Sequence, residues 1–288
     1  MRANLIFVKL GGSLITDKHN RATPRPGVID RLTQEIQRAL TVRPGLRIVL
    51  GHGSGSFGHW VADRYKTQHG VRGEAAWRGF AEVSAAASRL NRIVVDTFLA
   101  SQVPVLSLQP SSSVRAHNGE ISFYPLENLK RALHHQLVPL IFGDVAFDEV
   151  KGGTILSTEV LFTFAAERLQ PDWILLLGNA PGVLNADGEV ISTITPATYT
   201  EARSYLSGSG ATDVTGGMAD KVSRMVDLAR EHPDIRIRIL SGREPDALYD
   251  ALMNPEAASG TLIHAGNAEP SSERDGQIGR ASCRERVC

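Results

Sequence analysis

Six apolar runs punctuate the chain: LIFVKL (5–10), LRIVLG (46–51), VPVLSL (103–108), LVPLIFG (137–143), WILLLG (173–178) and IRIRIL (235–240). Each has strand length and β-branched content, and most are apolar throughout rather than alternating. Continuous apolarity predicts strands covered on both faces, hence a mainly parallel sheet. Between the runs, apolar residues recur at three- and four-residue steps. Val28, Ile29, Leu32, Ile36 and Leu40 share one helical face after a Pro-Gly start, and Phe80, Val83, Ala87, Leu90 and Val94 stripe the Ala-rich stretch 74–100. Helices are also predicted over 217–231 and 245–253. The alternation predicts an α/β fold, a three-layer αβα sandwich with right-handed crossovers. Short strand-like pieces at 118–124 and 144–156 predict β-hairpins on its rim. No internal repeat interrupts residues 1–266, which read as one domain loosely divisible into two lobes.

The segment NAEPSSERDGQIGRASCRERVC (267–288) has no such periodicity and reads as disordered, its end resembling translated vector sequence. It carries both cysteines, Cys283 and Cys288, so the body has no disulfide framework and no cysteine metal site. A hydrophobic share of 42% and a charged share of 22% are those of a soluble globular chain. Formal net charge is zero, which removes any broad pull toward nucleic acid or an anionic membrane. Any anion site must be local. With no apolar run of transmembrane length and no signal-peptide pattern, a cytoplasmic protein is expected.

Three glycine-rich segments could form such a site. KLGGS (9–13) follows the first strand, GHGSGSFGH (51–59) follows the second, and TGGM (215–218) opens a helix carrying Lys221. Glycine lets backbone N–H groups approach an anion, helix N-termini add partial positive charge, and lysines supply compact cationic ends. The second segment contains G-x-G-x-x-G, the dinucleotide-binding fingerprint, but that reading needs an acid about 20 residues on, at the end of a second strand. Glu74 is available and no strand leads to it. A Walker A loop and the protein-kinase motif set are absent. His52 reads as a structural residue, and His134 and His135 as a solvated helix end.

KLGGSLITDK (9–18), GHGSGSFGH (51–59), LSLQPSS (106–112), LVPLIFGD (137–144) and DVTGGM with Lys221 (213–221), in that order, resemble the amino acid kinase superfamily, and within it the isopentenyl phosphate kinases. The resemblance spans about residues 4 to 264. His59, which closes the second glycine loop, discriminates most, because in that family it contacts the acceptor phosphate. Two segments depart from the pattern. Ser157-Thr158-Glu159 stands where Ser-Gly-Asp is common, and Gly178-Asn179-Ala180-Pro181-Gly182-Val183 where Thr-Asp-x-x-Gly-Val is usual.

The resemblance implies ATP-dependent phosphorylation of isopentenyl phosphate in isoprenoid biosynthesis, with Mg²⁺ arriving as the nucleotide complex and no dedicated metal cage. It implies an acceptor-binding N-terminal lobe, a nucleotide-binding C-terminal lobe and a homodimer. Lys9, His59, Lys221 and Glu159 would be catalytic. Lys9, Gly11, Gly12, Ser13, Lys18, Ser54, Asn179, Gly182, Gly216, Gly217 and Lys221 would bind ATP. Backbone N–H groups of Gly11, Gly12, Gly53, Ser54 and Gly55 would cradle phosphate oxygens. Gly53, Ser54, Gly55, Gly58, His59 and Ser157 would hold the acceptor phosphate, with Phe80, Val83, Ala87, Ile141 and Ile155 walling an apolar slot for its tail. The alternatives are a fosfomycin-type phosphonate kinase, which shares the loop histidine, and a non-catalytic nucleotide-binding protein of the same fold. The apolar slot argues against the first; retention of Lys9, His59 and Lys221 argues against the second.

Overall fold

A computed structural model describes residues 5–206 and 217–266 of the 288. In chain order these residues form β1 (Leu5–Leu10), α1 (Gly12–Ile15), α2 (Pro26–Val42), β2 (Arg47–His52), α3 (Gly55–Tyr65), α4 (Glu74–Ala100), β3 (Val105–Ser107), β4 (Arg115–His117), β5 (Glu120–Phe123), α5 (Glu127–His134), β6 (Val138–Phe142), β7 (Asp144–Asp148), β8 (Gly152–Leu156), α6 (Thr158–Leu169), β9 (Trp173–Gly178), β10 (Thr193–Ile194), α7 (Tyr199–Leu206), α8 (Gly217–Glu231), β11 (Arg236–Ser241), α9 (Ala247–Met253) and β12 (Thr261–Ile263).

Eight strands make one sheet in the order β10-β12-β11-β9-β1-β2-β6-β3. Its pairings are parallel except β11 with β12. All six residues of β1 are buried, Lys9 included, as a strand covered on both faces requires. Successive strand side chains point to opposite faces. Leu5 and Phe7 join a core with residues of α5, α6, α7 and α8, while Ile6, Val8 and Leu10 join one with residues of α1, α2, α4 and α9. The three-layer expectation is thereby met. No helix among the described residues is long and apolar enough to cross a membrane.

The six expected strands are present within a residue or two. VPVLSL shortens most, to Val105–Ser107, because it lies at the sheet's edge, where Leu106 is exposed. The second hairpin covers β7 and β8 as expected. The first begins three residues early, and the two combine into a four-stranded sheet, β5-β4-β7-β8. Helices α1, α6 and α7 are not among the elements the sequence pattern predicts. Leu161, Phe162, Ala165 and Ala166 of α6 are all buried amid other apolar residues, so the helix shows no clean stripe. The tail 267–288, with both cysteines, lies outside the described residues.

Candidate active site

Parallel β1 and β2 end side by side, with Lys9 opposite Gly51 and Leu10 opposite His52. Their loops then pack backbone to backbone. A Cβ on Gly12 would stand 2.5 Å from the Gly55 nitrogen, and Gly55 has φ +50°, with Thr16 Oγ1 2.2 Å from its would-be Cβ. Glycine is required at both positions. Buried Thr16 stitches the loops, its Oγ1 donating to Gly12 O at 2.7 Å and accepting from Ser56 N at 3.0 Å. Gly11 N donates to Leu177 O at 2.8 Å and Gly53 N to Leu10 O at 3.1 Å. These two N–H groups are therefore committed to the backbone, which corrects the expectation that they cradle phosphate. The N–H groups of Gly12, Ser13, Ser54 and Gly55 have no acceptor among the described residues, and they sit at the N-terminal ends of α1 and α3. Helix ends of this kind suit an anion.

Helix α6 adds the acid. Ser157 caps it, Oγ accepting from Val160 N at 3.2 Å, and Thr158 Oγ1 donates to His52 O at 2.6 Å, tying the helix start to the second loop. Glu159 Oε1 lies 2.9 Å from Lys9 Nζ and 3.7 Å from Lys221 Nζ. The longer acid thus reaches both lysines. Side-chain exposures are 7% for Lys9, 14% for Glu159 and 25% for Lys221, so this cluster is held in place and still reachable from solvent. Burial pushes the Glu159 carboxyl up, but Lys9 and Lys221 outweigh it and hold the pKa down at about 2. At neutral pH Glu159 is an anion between two cations.

A cavity of about 550 Å³ opens over this cluster, a volume ordinary for a small-molecule site. Of the residues expected from sequence, Lys9, Gly11, Gly12, Ser13, Gly53 and Ser54 line it, as do His59, Ile155, Ser157, Glu159, Gly217 and Lys221. The ends of α1, α3, α6 and α8 therefore meet at one place. Other expected residues lie elsewhere. Lys18 is exposed in the turn after α1. Gly55 and Gly58 are buried packing positions beneath the loop. Asn179 Nδ2 donates to Ser13 O at 2.9 Å, and Gly182 packs on Val190 and Thr261. Phe80 and Val83 pack with Val61, Val71 and Val145, a cluster on which Ile155 leans from the cavity side. Ala87 and Ile141 belong to the two large cores. Gly216 lies outside the described residues.

His52 is fully buried below the loop, as the structural reading expected, while His134 and His135 are exposed at the end of α5. The His52 ring stacks on Phe142 at 5.4 Å, with Nδ1 3.1 Å from Gly53 O and Nε2 3.3 Å from Asn91 Oδ1. Burial lowers its pKa to about 4, against the opposing pull of the Gly53 and Asn91 contacts. The unfolded chain takes up a proton below about 6.5, and the folded chain does not until about 4. Stability should therefore fall by roughly 3 kcal/mol as pH drops through that window. Urea unfolding between pH 7 and pH 4 measures this, and His52→Gln should flatten that part of the profile.

Sequence reasoning missed Thr16 and Thr158, whose buried hydroxyls hold the loops in register. Glycine spacing shows that two backbones approach but not which hydroxyl bridges them.

The sequence profile of the amino acid kinase family matches residues 4–241. Isopentenyl phosphate kinase from Methanocaldococcus jannaschii is 33% identical over 255 residues, covering 86% of this chain and 95% of the relative. The Haloferax volcanii isopentenyl phosphate kinase is 36% identical over 231 residues, 78% and 88% of the two chains. An isopentenyl phosphate kinase crystal structure superimposes with TM-score 0.76 at 27% identity, covering 90% of this chain and 100% of that one.

Proposed function

We infer the reaction from a chain that belongs to the amino acid kinase family and, within it, to the isopentenyl phosphate kinases. It transfers the γ-phosphoryl group of ATP to isopentenyl phosphate, giving ADP and isopentenyl diphosphate. The observation that carries the reading is the Lys9–Glu159–Lys221 bridge in one cavity with His59 and the two glycine loops.

The nucleophile is an oxygen of a phosphate whose second ionisation lies near pH 6, so it is largely a dianion at neutral pH. No strong general base is needed, and catalysis reduces to alignment and charge stabilisation. Lys9 and Lys221 bind the transferring group and meet the developing charge. Glu159 is a positioning residue that keeps both ammonium groups aimed at one point. N–H groups of Gly12, Ser13 and Ser54 cradle phosphate oxygens. His59 donates to the acceptor phosphate, and Ile155 faces its tail. Glu159 is already bridged by two lysines, so Mg²⁺ travels on the nucleotide, held by phosphates and water, and supplies charge neutralisation there. The N-terminal lobe takes the acceptor and the C-terminal lobe the nucleotide, with a homodimer as the assembly.

Incubation with ATP and isopentenyl phosphate should yield ADP and isopentenyl diphosphate in equal amounts; ADP formed without the diphosphate would oppose the reading. Glu159→Gln should lower kcat about 10- to 100-fold, through loss of charge-assisted hydrogen bonding to the lysines, while KM for ATP changes less. Glu159→Asp keeps the charge and should lose less. Steady-state kinetics on both variants separates these effects, and an unaltered Gln variant would make the acid purely structural.

A further inference from the structure

We propose that Arg224 is a further contact for substrate phosphate, resting beside Glu120 in the ligand-free protein. This rests on the kinase reading above. Arg224 follows Lys221 by three residues on α8, so the two share a helix face. It lines the same cavity. Long helical side chains lean toward the helix N-terminus, which here is the end bearing Lys221 and the phosphate loops.

Its ionic partner among the described residues is Glu120 of β5, with Nη1 to Oε2 at 4.0 Å, and the Glu120 side chain is 72% exposed. An exposed pair at that distance contributes little, so little fixes the guanidinium where it stands. The need for another cation is evident from the charges. In the cavity wall Lys9 and Lys221 are offset by Glu159 and Asp220, leaving no net positive charge for two polyanionic substrates. Farther along the same wall the cavity turns acidic, at Glu167, Asp227 and Glu231. Arg224 therefore marks the outer limit of the zone where a phosphate is favoured. A planar guanidinium suits two oxygens of one phosphate group.

The test compares Arg224→Gln, Arg224→Lys and Glu120→Gln. It uses kcat, KM for ATP and for isopentenyl phosphate, calorimetric affinity for a non-hydrolysable ATP analogue, and thermal midpoints. Losing a partly exposed charge-assisted contact should raise one of the two KM values about 5- to 20-fold in the Gln variant. Thermal stability should be unchanged and Lys should retain part of the effect. The KM that rises identifies the phosphate as the nucleotide's or the acceptor's, and a matching loss in calorimetry supports the nucleotide. Glu120→Gln should leave both KM values unchanged or lower them, because Glu120 competes with substrate for Arg224. Two results would overturn the proposal: Arg224→Gln within twofold of the parent for both substrates, or Glu120→Gln reproducing its loss, which would make the pair a strap between β5 and α8. If the parent turns over isopentenyl phosphate in the same experiment, the kinase reading stands whichever way Arg224 behaves.

Discussion

Lys9→Met will fold and will transfer phosphate at least about 10³-fold more slowly than the parent, an effect on the scale of removing a key cation or oxyanion donor from a phosphoryl-transfer site. Two losses combine. The side chain is 7% exposed, so its ammonium acts where water screens poorly, and Glu159 loses the nearer of its two lysines. The carboxylate then faces incoming phosphate oxygens with only Lys221, 3.7 Å away, to offset it. Removing one partner of a poorly solvated pair is costlier than removing both. The double variant Lys9→Met/Glu159→Gln should accordingly recover part of the lost rate and bind ATP better than the single variant. Single-turnover kinetics with saturating ATP, alongside circular dichroism, separates chemistry from folding. A Lys9→Met variant with near-parental kcat would remove Lys9 from the transfer step.

His59→Ala will lower kcat/KM for isopentenyl phosphate about 30- to 1000-fold, corresponding to roughly 2–4 kcal/mol, with ATP affinity nearly intact. His59 sits one turn into α3, just after the second glycine loop, and lines the same cavity as Ser54 and Lys9. An acceptor phosphate needs its charge screened and one oxygen aimed in line at the γ-phosphorus. A histidine donor does both without removing a proton. His59→Gln and His59→Asn keep a neutral donor and should retain part of the activity. Steady-state kinetics with nucleotide affinity measured separately decides this, and loss of ATP binding in His59→Ala would refute the assigned role.

The layers of the fold are readable in the sequence because β1, β2, β6 and β9 are apolar over most of their length rather than alternating and need cover on both faces. The glycine loops are readable because the two backbones pack too closely for a side chain, a Cβ on Gly12 standing 2.5 Å from the Gly55 nitrogen. The same logic misled at Gly55, Gly58 and Gly182, since a glycine signals close approach whether the neighbour is ligand or protein. The stripe Phe80, Val83, Ala87 shows a buried helical face, but periodicity does not say what that face meets. Here it meets Val61, Val71 and Val145 for the first two and the sheet core for the third. Lys18 lies near Lys9 in sequence yet ends in an exposed turn, because α1 intervenes. Glu159 entered as a residue type at a family position. Its bridge to two lysines joins residues 150 and 62 positions apart, which no local pattern reveals.

We propose that this cavity takes a phosphate acceptor with an apolar tail. Its most direct test is kcat/KM for isopentenyl phosphate, dimethylallyl phosphate, fosfomycin and a carboxylate acceptor, measured side by side with ATP as donor. Isopentenyl phosphate should be the best acceptor, dimethylallyl phosphate next, fosfomycin far below and the carboxylate inert. Faster turnover of fosfomycin or of the carboxylate, or no transfer to isopentenyl phosphate, would contradict it.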